Sequence, residues 1–220
     1  MNGTFMFGED RFDSSEDFSV HYQIIGGKLP KQEVNQIIRS AYNYLGHKYP
    51  DETYRHNFPS VRNAIDTVVK QDIPEKEIHN LIDTFAFHEL GHIPEPYIDA
   101  LYKLSERFLL SVVIDIWSPK KLWLETFDNL EINKLFLVSS FSSDHGMVKP
   151  SPEPFELVVN QLNVPKEQCL IIGDSPRRDL GGALAADIDC ILVGGATDNR
   201  ALGAFPNLLA LCEELHQLDY

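Results

Sequence analysis

Cysteine is scarce in this chain: Cys169, Cys190 and Cys212 make an odd count of 3 with no CxxC spacing. That excludes a disulfide framework and a cysteine-based zinc site, and it fits free thiols in a reducing cytoplasm. No apolar run approaches the ~20 residues needed to span a bilayer. The polar N-terminus carries no secretory apolar core, so the expected location is cytoplasmic, with no membrane partner. Basic residues are also in deficit, 19 Lys and Arg against 33 Asp and Glu, for a net charge of −14. Phosphate backbones are held by concentrated Lys and Arg, so no nucleic-acid partner is expected and the charge reads as a solvated acidic surface. No internal repeat or low-complexity tract is apparent either.

What is present suits an ordinary globular protein. The 220 residues, 43% of them hydrophobic, are enough for one well-buried core and a small appended module. From Leu101 onward, short apolar runs alternate with helical patterns, the signature of a parallel sheet with crossover helices. Strands are predicted at Phe108 to Ile114, Leu135 to Phe141, Cys169 to Ile172 and Cys190 to Val193, each apolar on both faces as a covered sheet requires. Helices are predicted at Pro119 to Leu130, Pro154 to Leu162 and Leu180 to Ala186, the last small-faced and ended by Asp187 in a left-handed conformation. Residues 13–100 differ: helical periodicity dominates, with apolar stripes over Lys31 to Leu45 and Glu75 to His88. The expected fold is α/β, a Rossmann-like doubly wound parallel sheet core (1–12 and 101–220) with an inserted all-helical cap (13–100).

Two segments carry chemistry. In Ile172-Gly173-Asp174-Ser175-Pro176-Arg177-Arg178-Asp179, an apolar run ends on two carboxylates at the carboxyl end of a strand, where open α/β sheets place ligands. Such a pair repels unless a cation intervenes, and its hard oxygens suit Mg²⁺. Read without that cation, Asp179 would serve as a helix cap. The second segment, Ser142-Ser143-Asp144-His145-Gly146-Met147-Val148-Lys149-Pro150, aims Lys149 inward on a stiff, proline-flanked approach.

Together these segments resemble the third and fourth motifs of the haloacid dehalogenase-like hydrolases, mostly magnesium-dependent phosphatases. The resemblance implies a small phosphorylated metabolite as substrate and a monomer or homodimer. It implies Mg²⁺ on Asp174, Asp179 and the Asn2 carbonyl, Lys149 neutralising the phosphoryl oxygens, and Ser142 and Arg177 as substrate-binding residues. The family opens on a strand ending in Asp-x-Asp-Gly-Thr. Here Asn2 takes the place of the second Asp and Thr4 that of the Thr, so both stand among the implied catalytic residues, while the nucleophile would fall one residue before Met1. The expectation is that Met1 is an internal methionine of a longer protein, and that without its first strand the sheet lacks a central member.

Two departures bear on activity. Asn2 cannot donate a proton as a carboxylic acid does, which would slow poor leaving groups by ~10²–10⁴-fold. The strand Phe108 to Ile114 ends in Ile114-Asp115, where the family carries a Ser or Thr hydroxyl for the phosphoryl group. The runner-up is therefore a non-catalytic relative that binds a ligand or a partner protein. A third reading comes from His88-Glu89-Leu90-Gly91-His92, an HExxH segment that on a helix would grip zinc as in metallopeptidases.

Overall fold

Proline and polar caps punctuate the first half of the chain into helices. In the structure, a computed structural model describing residues 1–217, α1 (Phe18–Ile24) starts at Asp17, whose side chain accepts the Ser19 N–H. Pro30, Pro74 and Pro94 stand just before α2 (Lys31–Lys48), α4 (Glu75–Glu89) and α5 (Glu95–Ser105), where a missing N–H costs nothing. A reciprocal Ser60–Asn63 capping box opens α3 (Val61–Val68). The apolar faces of α1 to α4 converge on one cluster that includes Phe18, Tyr22, Ile38, Leu45, Ile65, Leu81 and Phe85. By contrast α5 packs against the C-terminal α10 (Leu208–Gln217), and its buried residues belong to the strand-side cluster.

The second half alternates as the apolar runs suggested: β1 (Leu110–Ile114), α6 (Lys121–Asn129), β2 (Phe136–Phe141), α7 (Ser142–His145), α8 (Glu153–Leu162), β3 (Leu170–Gly173), α9 (Gly181–Ala185), β4 (Asp189–Leu192) and β5 (Gly203–Ala204). Among the described residues the pairings of β1 to β5 are parallel, with Ile114 beside Phe141 in one ladder and Gly173 beside Leu192 in the other. Asp187 takes a φ of 58°, the left-handed conformation expected of it.

The sheet comes in two pieces. Among the described residues β1 pairs only with β2, and β3 only with β4. Between the facing edges of β1 and β3 lies a cavity of about 550 Å³, lined by Leu110, Val112, Ile171, Phe155, Val158 and Leu208 among others. Residues 1–6 fold into a tight turn, with the Thr4, Phe5 and Met6 amides all donating to the Met1 carbonyl, and do not enter that space as a strand. The expectation that every strand is covered on both faces therefore fails beside the cavity: Leu170 is 42% exposed and Leu109, just before β1, 67%.

Candidate active site

The strand ends of β1 and β3 and the loop after β2 bring charge together. Lys149, only 8% exposed, donates from Nζ to Asp179 Oδ1 at 2.8 Å. The other oxygen of Asp179 accepts the Asp174 and Ser175 amides at 3.2 and 3.0 Å. A wide turn makes this possible: the Leu180 N–H reaches back five residues to the Ser175 carbonyl, bringing Asp179 under the end of β3. Gly173 is required there, since a Cβ on it would lie 2.3 Å from the Asp179 Cβ.

Electrostatics follow from that geometry. Burial raises the Asp179 carboxyl, but the Lys149 ammonium, the Met1 α-ammonium and the hydrogen bonds it accepts together outweigh it and hold the group well below the usual range. For Lys149, burial opposes the charge while Asp179 and Asp115 favour it, and the net shift is upward. Asp174 is pushed up, first by burial and then by the charge of Asp179. The Met1 α-ammonium, Arg178 and Lys149 pull the other way without overcoming these two effects. A Cβ on Gly3 would lie 2.7 Å from the Asp174 carboxyl, so the Asn2-Gly3 turn presses directly on it. The Asn2 Oδ1 atom is buried with no hydrogen-bond partner. An oxygen-only set of this kind fits Mg²⁺, which keeps several waters and takes one or two carboxylates plus substrate phosphate. No three His, Cys, Asp or Glu side chains converge as a complete metal cage among the described residues.

Other residues singled out from the sequence have partners of their own. Ser142 spends its hydroxyl on Ile116, accepting its N–H at 2.8 Å and donating to its carbonyl at 2.7 Å, so its one proton is not free for a substrate. Arg177 is exposed and donates to the Pro50 carbonyl at 2.9 Å. Thr4 is buried, its Oγ1 without a partner, and lines the cavity between β1 and β3. Both oxygens of Asp179 are already engaged, whereas Asp174, and the Oδ1 atom of Asp115, accept no hydrogen bond among the described residues.

The HExxH segment does not make a zinc grip. Helix α4 stops at Glu89, and the His92 N–H and carbonyl instead exchange hydrogen bonds with Phe7 at 2.8 and 2.9 Å. His88 is buried, with Nδ1 on the Thr84 carbonyl and Nε2 3.1 Å from Glu16. Glu89 accepts the Trp117 and Ser118 amides at 2.6 and 2.9 Å, and burial pushes its carboxyl up to about 7.

Three further residues meet at the same place. Asp115, after β1, accepts the Lys149 N–H at 3.0 Å and the Tyr49 hydroxyl at 2.6 Å. Arg178 lies with its guanidinium 5.7 Å from the centre of the Tyr49 ring. The sequence places Asp115 at the carboxyl end of a strand, but no local pattern brings Tyr49 to it.

A parallel-strand frame with an ion pair and a second carboxylate at its carboxyl ends can be compared with known proteins. The family model described as haloacid dehalogenase-like hydrolase matches residues 31–193. The chain belongs to this family. Among solved structures, a 2-haloacid dehalogenase from Pseudomonas syringae superposes with a TM-score of 0.63 at 18% identity, covering 98% of this chain and 95% of that one. A putative beta-phosphoglucomutase from Thermotoga maritima gives 0.59 at 18% identity, covering 99% and 96%. At such identity these establish the fold: a haloacid dehalogenase-like α/β core with a helical cap. A phosphoglycolate phosphatase from Salmonella typhimurium is 31% identical over 124 residues, 54% of this chain and 49% of that protein. The chain thus spans about half the length of the curated relatives it matches. Among the described residues, no helix of this haloacid dehalogenase-like protein is long and apolar enough to cross a membrane.

Proposed function

We propose that this haloacid dehalogenase-like hydrolase is a phosphatase-type enzyme acting on a small phosphorylated metabolite, with residues 13–100 serving as the cap over the site. The reading rests on the 2.8 Å contact between the Lys149 ammonium and Asp179, formed beside Asp174 at the end of β3. Asp179 fixes Lys149 in place, so no reorganisation is needed when a phosphoryl group arrives. Asp174 would hold Mg²⁺ with the Asn2 turn against it, and the metal would supply charge neutralisation of phosphoryl oxygens. Asn2 can donate and accept hydrogen bonds but cannot protonate a leaving group. Substrates with good leaving groups are therefore favoured.

Because the family's nucleophilic position falls before Met1, turnover of p-nitrophenyl phosphate and acetyl phosphate, with Mg²⁺ and with EDTA, by the protein extended upstream with an apolar run ending in Asp tests the reading. Activity that requires Mg²⁺ and is lost in Asp174→Ala supports it, and acetyl phosphate should be the better substrate. A second reading, a ligand-binding relative without turnover, is favoured by Asp115. This carboxylate stands at the end of β1 where the family resemblance implies a hydroxyl, and it is drawn onto Tyr49 and Lys149. Phosphate binding without hydrolysis of either compound would select that reading.

A further inference from the structure

Asp115 is held where an incoming oxyanion would look for donors. Ile114 before it is fixed in the β1–β2 ladder beside Phe141. Ile116 after it is clamped to the Ser142 hydroxyl through both its N–H and its carbonyl. A backbone shift large enough to carry the carboxylate away from the strand end would break these bonds. From the helical region Tyr49, the residue that follows α2, fixes the side chain as well.

The two oxygens of Asp115 do different things. Oδ2 takes the Lys149 N–H at 3.0 Å and the Tyr49 hydroxyl at 2.6 Å, donors of the kind that hold phosphoryl oxygens. Oδ1 is buried with no hydrogen-bond partner among the described residues, so its share of the negative charge faces the site uncompensated by any donor. That charge also reaches the Lys149 ammonium, on which, among the charged groups, only Asp179 acts more strongly. A hydroxyl at this position, as the family resemblance implies, would donate to a phosphoryl oxygen, whereas a carboxylate only accepts and repels it. The anion cradle is therefore already occupied by an anion of its own chain.

We propose that Asp115 is an internal competitor for the oxyanion site, so that the site selects tetrahedral oxyanions of single charge over dianions of the same shape. The inference rests on the phosphatase reading and adds to it the charge of the group that the site accepts. An oxyanion reaches the donors around Lys149 only by lying against this carboxylate, and that costs in proportion to the charge it carries.

Tungstate and perrhenate are tetrahedral oxyanions of nearly the same size, the first doubly and the second singly charged. Calorimetric titration of the whole protein with each, in mildly alkaline buffer with Mg²⁺ present throughout, reads the selection. Asp115→Asn keeps the shape and an acceptor for both donors but removes the charge. It should bind tungstate roughly tenfold tighter than the native protein does and perrhenate roughly threefold tighter, because the repulsion relieved scales with the charge of the ligand. Asp115→Ser should move the ratio of the two affinities in the same direction. An unchanged ratio in a folded variant overturns the inference, and so does weakening of both anions, which would make Asp115 a support of the site and not a competitor in it. In either case the anions still bind the native protein, and the phosphatase reading stands. If neither variant folds, the native protein decides alone: tighter binding of perrhenate than of tungstate upholds the inference, and the reverse overturns it. Binding of neither anion to any of the three proteins removes the oxyanion site and the phosphatase reading with it.

Discussion

The helical region and the strand region bury similar apolar side chains, yet one closes and the other does not. In α1 to α4 the cluster residues Phe18, Ile38, Leu45, Leu81 and Phe85 are almost fully enclosed. Along β1 and β3, half-exposed side chains line a cavity of about 550 Å³. The difference lies in backbone hydrogen bonding. A helix satisfies its own amides and carbonyls, so four helices need only fit each other's side chains. A strand needs a neighbour on each edge, and β1 and β3 each have one on a single side. Stability is accordingly concentrated in the helices, and charge at the open strand ends.

The largest expected effect probes the one place where the strand region is tightly determined. Lys149→Met leaves Asp179 buried without its cation and should cost about 3–5 kcal/mol in urea unfolding. Adding Asp179→Asn should recover much of that loss. A double variant no more stable than the single would mean that the pair is solvated and that the strand ends are as loose as the cavity beneath them. A matched pair of leucines tests the regions directly: Leu81→Ala in the helical cluster should cost about 2–5 kcal/mol, whereas Leu110→Ala should cost about 1 kcal/mol or less, because its surroundings are already open. Equal losses would break the comparison.

The same contrast explains what the sequence could reveal. β1 to β4 were legible within a residue or two, because buried parallel strands are short apolar runs between turn residues. Helices α2 and α4 were legible from their stripes. The two-residue β5 was not, since Gly203 and Ala204 are a strand only by virtue of lying beside Ile191 and Leu192. At the site, the convergence of Lys149 on Asp179 followed from the motif, but the commitments of neighbouring groups did not. That Ser142 is consumed by Ile116, or that Arg178 faces inward while Arg177 faces outward, is decided by segments distant in the chain. The HExxH segment misleads for the same reason: Glu89 is drawn onto the Trp117 and Ser118 amides and His92 onto Phe7, which ends the helix before the second histidine.

Glu89 also joins the two regions, and its titration reads how tightly. Its folded-state carboxyl titrates near 7, above the ordinary 4.5, because of burial and, in smaller part, the charge of Asp10. Between those values the folded state holds a proton that the unfolded state has released, so this group's contribution to stability falls as pH rises from 4.5 to about 7. The full swing is about 3 kcal/mol at ~1.4 kcal/mol per unit. Histidines buried nearby, such as His88, act in the opposite direction, so the quantity to measure is the difference between the native protein and Glu89→Gln, in urea at either end of the window. The variant should lose this component of the pH dependence, although its amide also places a donor against one of the two N–H groups. An identical pH slope in both proteins would mean that the seam between the regions is open to water.

The smallest effect asks whether the strand region is limited by its gap or by local strain. Asp187, exposed after α9, is held at a φ of 58°, where an L side chain crowds the following carbonyl at ~1–2 kcal/mol and glycine does not. Glycine returns part of that gain as entropy in the unfolded chain, so Asp187→Gly should stabilise by about 0.5–1 kcal/mol. Asn163, at a φ of 54° after α8, is the internal control: its side chain already tolerates this conformation, and Asn163→Gly should gain less. If Asp187→Gly stabilised by several times the expected amount, strain in the turn would be the weak point of the strand region, and the cavity between β1 and β3 would lose its place as the reason this half of the molecule is the softer one.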